Sequence, residues 1–233
     1  MEVCCGNIAS VRAAIEGGAD RVELCRDLEL DGLTPSREMI GEAVGLCHPA
    51  GLLVHVLIRS REGDFVYDDN EVKKMADEIG MAIAEGADGV VVGALTPGGD
   101  IDTAACRKWI DAVRQAVGDQ RRNVTFHRAF DVCDDPLEAI GQIARLGCNR
   151  ILTSGQQATA EQGIPLLRQL VEKAREISAK SGHELGILCG AGVNTHNAST
   201  ILKATGATEI HGSLRTGLVS DAEKIRLVKE AIS

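Results

Sequence analysis

Two hydrophobic patterns alternate along the chain. Short apolar runs, typical of buried strands, are separated by longer segments with apolar residues at spacings of three and four. That spacing indicates helices with one buried face, and its clearest example consists of Val72, Met75, Ala76, Ile79 and Ile83. Because strands and helices alternate strictly, the pattern predicts parallel strands joined by right-handed crossovers.

A weak internal repeat sets the number of strands. Four times, a helical stretch ends in glycine and is followed by a small residue, a polar residue and an apolar strand, beginning at Gly18, Gly86, Gly147 and Gly206. Each glycine suits the left-handed position that closes a helix. Four further strands are predicted around residues 2–5, 53–59, 124–127 and 184–189. Eight strand–helix units predict a closed TIM-type (β/α)8 barrel, in one domain spanning residues 1–233, in preference to a doubly wound open sheet.

Three helices carry start signals. Thr34 and Asp135 each precede a proline, which suits an N-cap followed by the first helical position. Asn194 or Thr195 is predicted to cap the seventh helix.

Charged and apolar residues alternate along several predicted strands. In a barrel, successive side chains face the lumen and the helix layer in turn. Since an unpaired charge is costly beneath apolar helices, we expect the charged set to face the lumen. The residues that share this lumen side are Glu2, Cys4, Arg21, Glu23, Cys25, His55, Leu57, Arg59, Thr125, His127, Glu209, His211 and Ser213. They indicate either a functional site at the C-terminal mouth or a buried ion network that only fixes strand register.

Composition mainly excludes classes of function. With 44% hydrophobic and 25% charged residues, the chain can bury a sizeable core unaided. Its net charge of -9, few aromatic residues and lack of a basic run argue against nucleic acid or an anionic membrane as a partner. The first residues lack a signal-peptide pattern and no apolar run is long enough to span a bilayer, which predicts a cytoplasmic protein. Eight cysteines without CxxC pairs predict free thiols.

Several motifs together resemble one known family. They are EVCC at residues 2–5, GADRVELC at 18–25, GLTPS at 32–36, IR at 58–59 with GDF at 63–65 and Tyr67, VTFHRAFD at 124–131, and LTSG at 152–155. Over nearly the whole chain the sequence resembles the CutC family, and its TFHRAFD block is highly specific. The resemblance implies a TIM-type barrel, a cytoplasmic location and an association with copper homeostasis, including copper(I) binding in some members.

Cys4 and Cys25 are the candidate metal ligands. Copper(I) prefers thiolates, and these residues share the lumen side of neighbouring predicted strands, whereas Cys5 faces the opposite way. The resemblance agrees, because the metal-linked cysteines of the family match Cys4 and Cys25. His55 or His127 could complete such a site. The alternatives are buried or redox-active thiols and histidines with structural hydrogen bonds.

The same mouth also suits an enzyme acting on a small phosphorylated or carboxylated metabolite. His127 is a candidate catalytic imidazole, with Asp131 or Glu23 to orient it or act as base. Glycines after the seventh and eighth strands suit either a backbone phosphate cradle or simple tight turns. The full set of candidate substrate-binding residues is Glu2, Arg59, Arg128, Ser154, Gly190, Gly192 and Gly212.

A third interpretation is an assembly protein, a homo-oligomer that pairs subunits through exposed apolar surface. The loop at residues 60–69 contains Phe65 and Tyr67 at alternate positions. It is interpreted as a lid or subunit contact, or as an ordinary surface loop anchored by Phe65.

Overall fold

Eight parallel strands close into a barrel in this computed structural model, which describes residues 1–117 and 122–233. Each strand pairs with its neighbours in chain order, and the last pairs with the first. The predicted (β/α)8 barrel is therefore confirmed. Strands β1 to β8 are Glu2–Cys5, Arg21–Leu24, Leu53–Leu57, Gly89–Val92, Asn123–Phe126, Arg150–Thr153, Gly186–Cys189 and Glu209–Gly212.

An outer layer of helices covers the strands. Within the described residues, helices α1 to α8 are Ile8–Glu16, Arg37–Cys47, Asp69–Ala84, Thr103–Val117, Pro136–Leu146, Ile164–Ser181, Ala198–Thr205 and Ala222–Ile232. Short 3₁₀ helices follow β2, α2 and β5, at Leu28–Leu30, His48–Ala50 and Arg128–Val132. A small hairpin of β9 (Arg215–Thr216) and β10 (Val219–Ser220) precedes α8. None of the helices in the described ranges has the length and apolar character needed to span a membrane.

Strand parity separates two apolar regions, as predicted. Val22, Leu24, Val54 and Val56 belong to the large core between strands and helices. A second, small cluster lies inside the lumen and consists of Cys4, Cys25, Leu57 and Val91, with Leu28 packed against it. Apart from Leu57, the lumen side of the first three strands therefore carries sulfur and polar or charged groups instead of the Val, Ile and Leu layers usual in such barrels.

Helix ends follow the predicted glycine pattern. Gly147 and Gly206 cap α5 and α7 with φ of 99° and 74°, and Gly18 and Gly86 follow the ends of α1 and α3 with φ of 76° and 97°. These positive φ values are sterically open to glycine and strained for most other residues. The repeat read from the sequence thus marks the point where each of these helices turns back toward a strand.

Two of the three predicted N-caps are wrong. Asp135 caps α5 by accepting from the backbone N–H groups of its first turn, as predicted. Thr34 does not cap α2, because its hydroxyl donates to Glu78 and the helix begins after Ser36, whose Oγ accepts from Met39 N. Neither Asn194 nor Thr195 caps α7, which begins after Asn197.

Candidate functional site

An ion network occupies the base of the lumen. Glu2 is fully buried, and its two oxygens accept from Arg21 Nε at 2.5 Å and from His211 Nδ1 at 2.8 Å. Arg21 also donates to Glu209, which in turn accepts from Arg150 at 2.8 Å. Burial alone would raise the pKa of Glu2, but the charge of Arg21 and the hydrogen bond from His211 outweigh it and lower that pKa strongly. Glu2 is therefore an ionised structural anchor.

Above this network, four polar side chains meet near the ends of β1, β2 and β8. Cys4 and Glu23 are direct neighbours in the β1–β2 register, and the Cys4 thiol donates to Glu23 Oε1 at 3.6 Å. The sulfurs of Cys4 and Cys25 lie 3.9 Å apart. One ligand atom from each of Cys4, Glu23 and His211 lies within 4.8 Å of the others. We call Cys4, Glu23, Cys25 and His211 the thiol–carboxyl cluster.

The cluster holds an unusual distribution of protons. Burial is the largest cause that raises the pKa of Glu23 to about 7, opposed by the His211 charge and reinforced by Glu2. Burial would lower the pKa of His211, but the carboxyl groups of Glu23 and Glu2 hold it well above its usual value. The Cys25 hydrogen bond and burial raise the pKa of Cys4. At neutral pH the cluster therefore contains a neutral thiol, a cationic imidazole and a carboxyl that is partly protonated.

The cluster opens into a cavity of about 500 Å³ at the C-terminal ends of the strands. We call it the mouth cavity. Seven of the sequence-predicted site residues line it, namely Cys4, Glu23, Arg59, His127, Arg128, Gly192 and Gly212. Residues that the sequence did not single out as ligands also line it, including His211, Phe65 and Arg215.

Arg59 brings a buried positive charge to the wall of the mouth cavity. Its side chain is held by backbone carbonyls alone, through Nη1 to Leu30 O and Gly32 O and through Nη2 to Gly63 O, at 2.9 to 3.2 Å. Arg59 is 4% exposed, and no carboxylate of the described residues lies within salt-bridge distance of it. Its Nε has no hydrogen-bond partner in that part of the chain. A buried guanidinium without a counter-ion favours an anionic ligand.

His127 lies beside Arg59, and both pack against the ring of Phe65. The ring centroid of Phe65 is 5.0 Å from that of His127 and 5.3 Å from Arg59 Cζ. His127 Nδ1 accepts from Ala129 N at 3.1 Å, while its buried Nε2 has no partner among the described residues. Burial and the charge of Arg59 lower the pKa of His127 to about 3. The imidazole is therefore neutral and carries its proton on Nε2.

Comparisons with known proteins place the chain among its relatives. The model of the CutC family matches residues 1–216. The chain belongs to the CutC family. A CutC protein from Bacteroides thetaiotaomicron is 48% identical over 221 residues, which cover 95% of this chain and 83% of the relative. One from Pasteurella multocida is 45% identical over 211 residues, covering 91% of this chain and 80% of the relative.

A solved structure gives the same assignment. A protein from Streptococcus agalactiae, named as a copper homeostasis protein CutC, superposes with a TM-score of 0.82 at 34% identity. The match covers 91% of this chain and 97% of that one. The resemblance found in the sequence is thereby confirmed, and so is the family's link by name to copper homeostasis.

Asp131 supports a loop in this CutC protein and does not contact His127. Its carboxylate accepts from Thr153 Oγ1 at 2.5 Å, from Ser154 N at 3.0 Å and from Arg128 Nε at 2.7 Å. Ser154 Oγ donates to Gln157 O at 2.5 Å. Asp131 and Ser154 therefore fix the loop after β6, and through Arg128 that loop reaches the mouth cavity.

Some glycines of the turns after β7 and β8 pack against neighbouring side chains, and others line the mouth cavity. A Cβ on Gly190 would lie 2.6 Å from Leu152 Cδ1, so a larger residue there would displace the end of the Leu152 side chain. Ala191 and Gly192 follow with φ of 75° and 70° and line the mouth cavity, as does Gly212. These two consecutive positive φ values form the turn after β7 at the wall of the mouth cavity.

Neither histidine predicted as a third metal ligand belongs to the thiol–carboxyl cluster. His55 lies deeper, 3.7 Å from Glu2, and burial lowers its pKa to about 4. His127 faces Phe65 and Arg59. His211 takes that position instead. Its alternation on the eighth strand placed it in the lumen, but only the closure of β8 onto β1 brings it to Cys4.

Proposed function

We propose that this CutC protein binds a small anionic metabolite in the mouth cavity and that Glu23 exchanges a proton with it. The observation that carries the proposal is the state of Glu23. This carboxyl is 5% exposed, its Oε2 has no partner in the described part of the chain, and its pKa is raised to about 7. A buried carboxyl that titrates near neutrality inside a cavity is typical of a general acid or base.

The size and charge of the mouth cavity support a molecular ligand. A volume of about 500 Å³ lies in the range of small-molecule sites and far exceeds the space that one metal ion needs. Arg59, Arg128 and Arg215 line it, and Arg59 is the buried one without a carboxylate partner among the described residues. The ligand class that this lining favours is a carboxylate or phosphate compound.

The test is binding of defined anions, measured by calorimetry with inorganic phosphate, glycerol 3-phosphate, oxalate and citrate. We expect at least one to bind, and Arg128→Gln to weaken that binding about tenfold, since a charge-assisted hydrogen bond contributes about 1.5–3 kcal/mol. Arg226→Gln, which changes an exposed arginine on α8, should bind as the wild type does. Failure of all four anions to bind, or equal loss in both variants, would contradict the proposal.

Copper(I) binding is a second candidate, favoured by the thiol–carboxyl cluster. Two sulfurs 3.9 Å apart, with an imidazole beside one of them, provide the soft ligands that copper(I) prefers. The copper homeostasis name of the Streptococcus agalactiae relative supports this candidate. Cys4 and Cys25 would hold the ion, and His211 would complete the set. Because the Cys4 pKa is raised, binding must release a proton, so affinity should increase with pH.

Competition with a copper(I) chelator tests this second candidate. The wild type should retain copper(I), while Cys4→Ser, Cys25→Ser and His211→Gln should release it. Cys106→Ser is the matched control, because Cys106 is also a buried free thiol but lies on α4. Loss of copper from the control, or retention by both Cys4→Ser and Cys25→Ser, would exclude the cluster as the copper site.

A further inference from the structure

The protonation of His127 follows from its hydrogen bonding. The N–H of Ala129 can only donate, so Nδ1 of His127, 3.1 Å away, must accept and carries no proton. A neutral imidazole then has its hydrogen on Nε2. That Nε2 is buried, and within residues 1–117 and 122–233 it has no acceptor. His127 lines the mouth cavity, so a ligand that reached Nε2 from there would supply the acceptor that this donor lacks.

The surroundings of His127 keep it in this form. The side chain is 5% exposed, and Phe65 covers its ring. Arg59 also contacts the ring of Phe65, and its positive charge disfavours protonation of His127. Its Nε is likewise buried without a partner in the described chain. Two donor atoms near the same aromatic ring, Nε2 of neutral His127 and Nε of cationic Arg59, therefore lack acceptors among the described residues.

We propose that His127 is a neutral hydrogen-bond donor and not a base, and that its Nε2–H and Arg59 bind the carbonyl oxygen of an oxo acid or a similar carbonyl compound. This inference rests on the proposed function of the mouth cavity and assigns the ligand class and the role of each side chain. A neutral imidazole suits this role, because it can stabilise a developing oxyanion without transferring its own proton.

Nitrogen-15 NMR of the histidines tests the state of His127 directly, with His127→Gln used to assign its signals. We expect the Nε2–H tautomer, neutral between pH 5 and pH 8, as its lowered pKa requires. A cationic ring at pH 6, or a proton on Nδ1, would overturn the inference. Neither result would affect the anion-binding test of the proposed function.

Oxalate binding tests the donor role, because planar oxalate mimics the enolate of an oxo acid. His127→Gln retains a donor and should bind oxalate within about threefold of the wild type, whereas His127→Leu should lose about tenfold or more. Equal binding by the wild type and His127→Leu, equal losses in both variants, or no oxalate binding at all would each overturn the inference. If phosphate or citrate still binds and depends on Arg128, the proposed function stands while the role of His127 falls.

Discussion

Glu2 carries a buried negative charge between basic side chains, contacting Arg21 at 2.5 Å and His211 at 2.8 Å. Removing one member of such a network leaves the other members buried without their counter-charge. We predict that Glu2→Gln lowers the free energy of unfolding by about 3–5 kcal/mol, measured by urea denaturation. In the variant Arg21 still pairs with Glu209, so we expect a loss of unfolding free energy near the lower end of that range.

A surface pair provides the comparison for Glu2. Glu223 pairs with Arg226 on α8, and both side chains are about half exposed. Because exposed ion pairs contribute little, Glu223→Gln should change the free energy of unfolding by no more than about 0.5 kcal/mol. A cost below about 1 kcal/mol for Glu2→Gln would mean that the network is not a stabilising anchor.

At the residue scale, the sequence predicted which side chains enter the lumen but not which of them touch. Alternation alone placed Cys4, Glu23 and His211 inside, because a strand presents successive residues to opposite faces. Their contact depends on the stagger between strands, which no single strand encodes. The same limit explains why the sequence did not predict the partner of Asp131. This residue lies near His127 in sequence, but its carboxylate accepts from the loop after β6.

Two glycines at helical positions give opposite predictions at the element scale. Gly80 lies inside α3, where an added Cβ would meet no atom within 4 Å. Gly80→Ala should therefore stabilise the protein by about 0.5–1 kcal/mol, because alanine loses less backbone freedom in a helix. At Gly17 the Cβ would lie 2.5 Å from Ile225 on α8. Gly17→Ala should destabilise by about 1–3 kcal/mol.

Thermal unfolding measures both changes, at roughly 2–4 °C per kcal/mol for a protein of this size. The two variants carry the same substitution, so they separate helix propensity from the contact between α1 and α8. Equal shifts of the same sign would show that this contact does not limit the residue at position 17.

Helix boundaries illustrate what local sequence can specify. Asp135 was predicted correctly because a capping carboxylate and the proline after it act within one turn. Thr34 offered the same signal, but its hydroxyl hydrogen-bonds with Arg59 and Glu78, which are distant in sequence. Ser36 takes over the cap. Long-range contacts therefore override a local signal where a residue also supports the mouth cavity.

At the scale of the whole molecule, the barrel was predictable because its signals repeat. Glycine-terminated helices and strands of two-residue alternation recur along the chain, so an error in one unit leaves the others intact. The mouth cavity has no such redundancy. It combines residues from β1, β2 and β8 with loops after β3 and β5, and its charge balance exists only once the barrel has closed.

Protonation of Glu23 links that closed lumen to the stability of the whole protein. Its folded pKa is about 7, against 4.5 for the free group. The folded state therefore holds this proton more tightly, which stabilises it fully below pH 4.5 and progressively less as the pH rises through 7. At 1.36 kcal/mol per pKa unit, the loss amounts to roughly 3 kcal/mol.

Glu23→Gln removes this titration while preserving the shape of the side chain. We predict that the variant and the wild type have similar free energies of unfolding near pH 4, and that the variant becomes more stable by up to about 3 kcal/mol at pH 8. His211 keeps its hydrogen bond to Glu2 in both proteins. Urea unfolding at a series of pH values checks this, with exposed Glu172→Gln on α6 expected to follow the wild type. Parallel profiles for Glu23→Gln and the wild type would mean that Glu23 is already ionised at pH 5, and proton exchange by this carboxyl would then lose its physical basis.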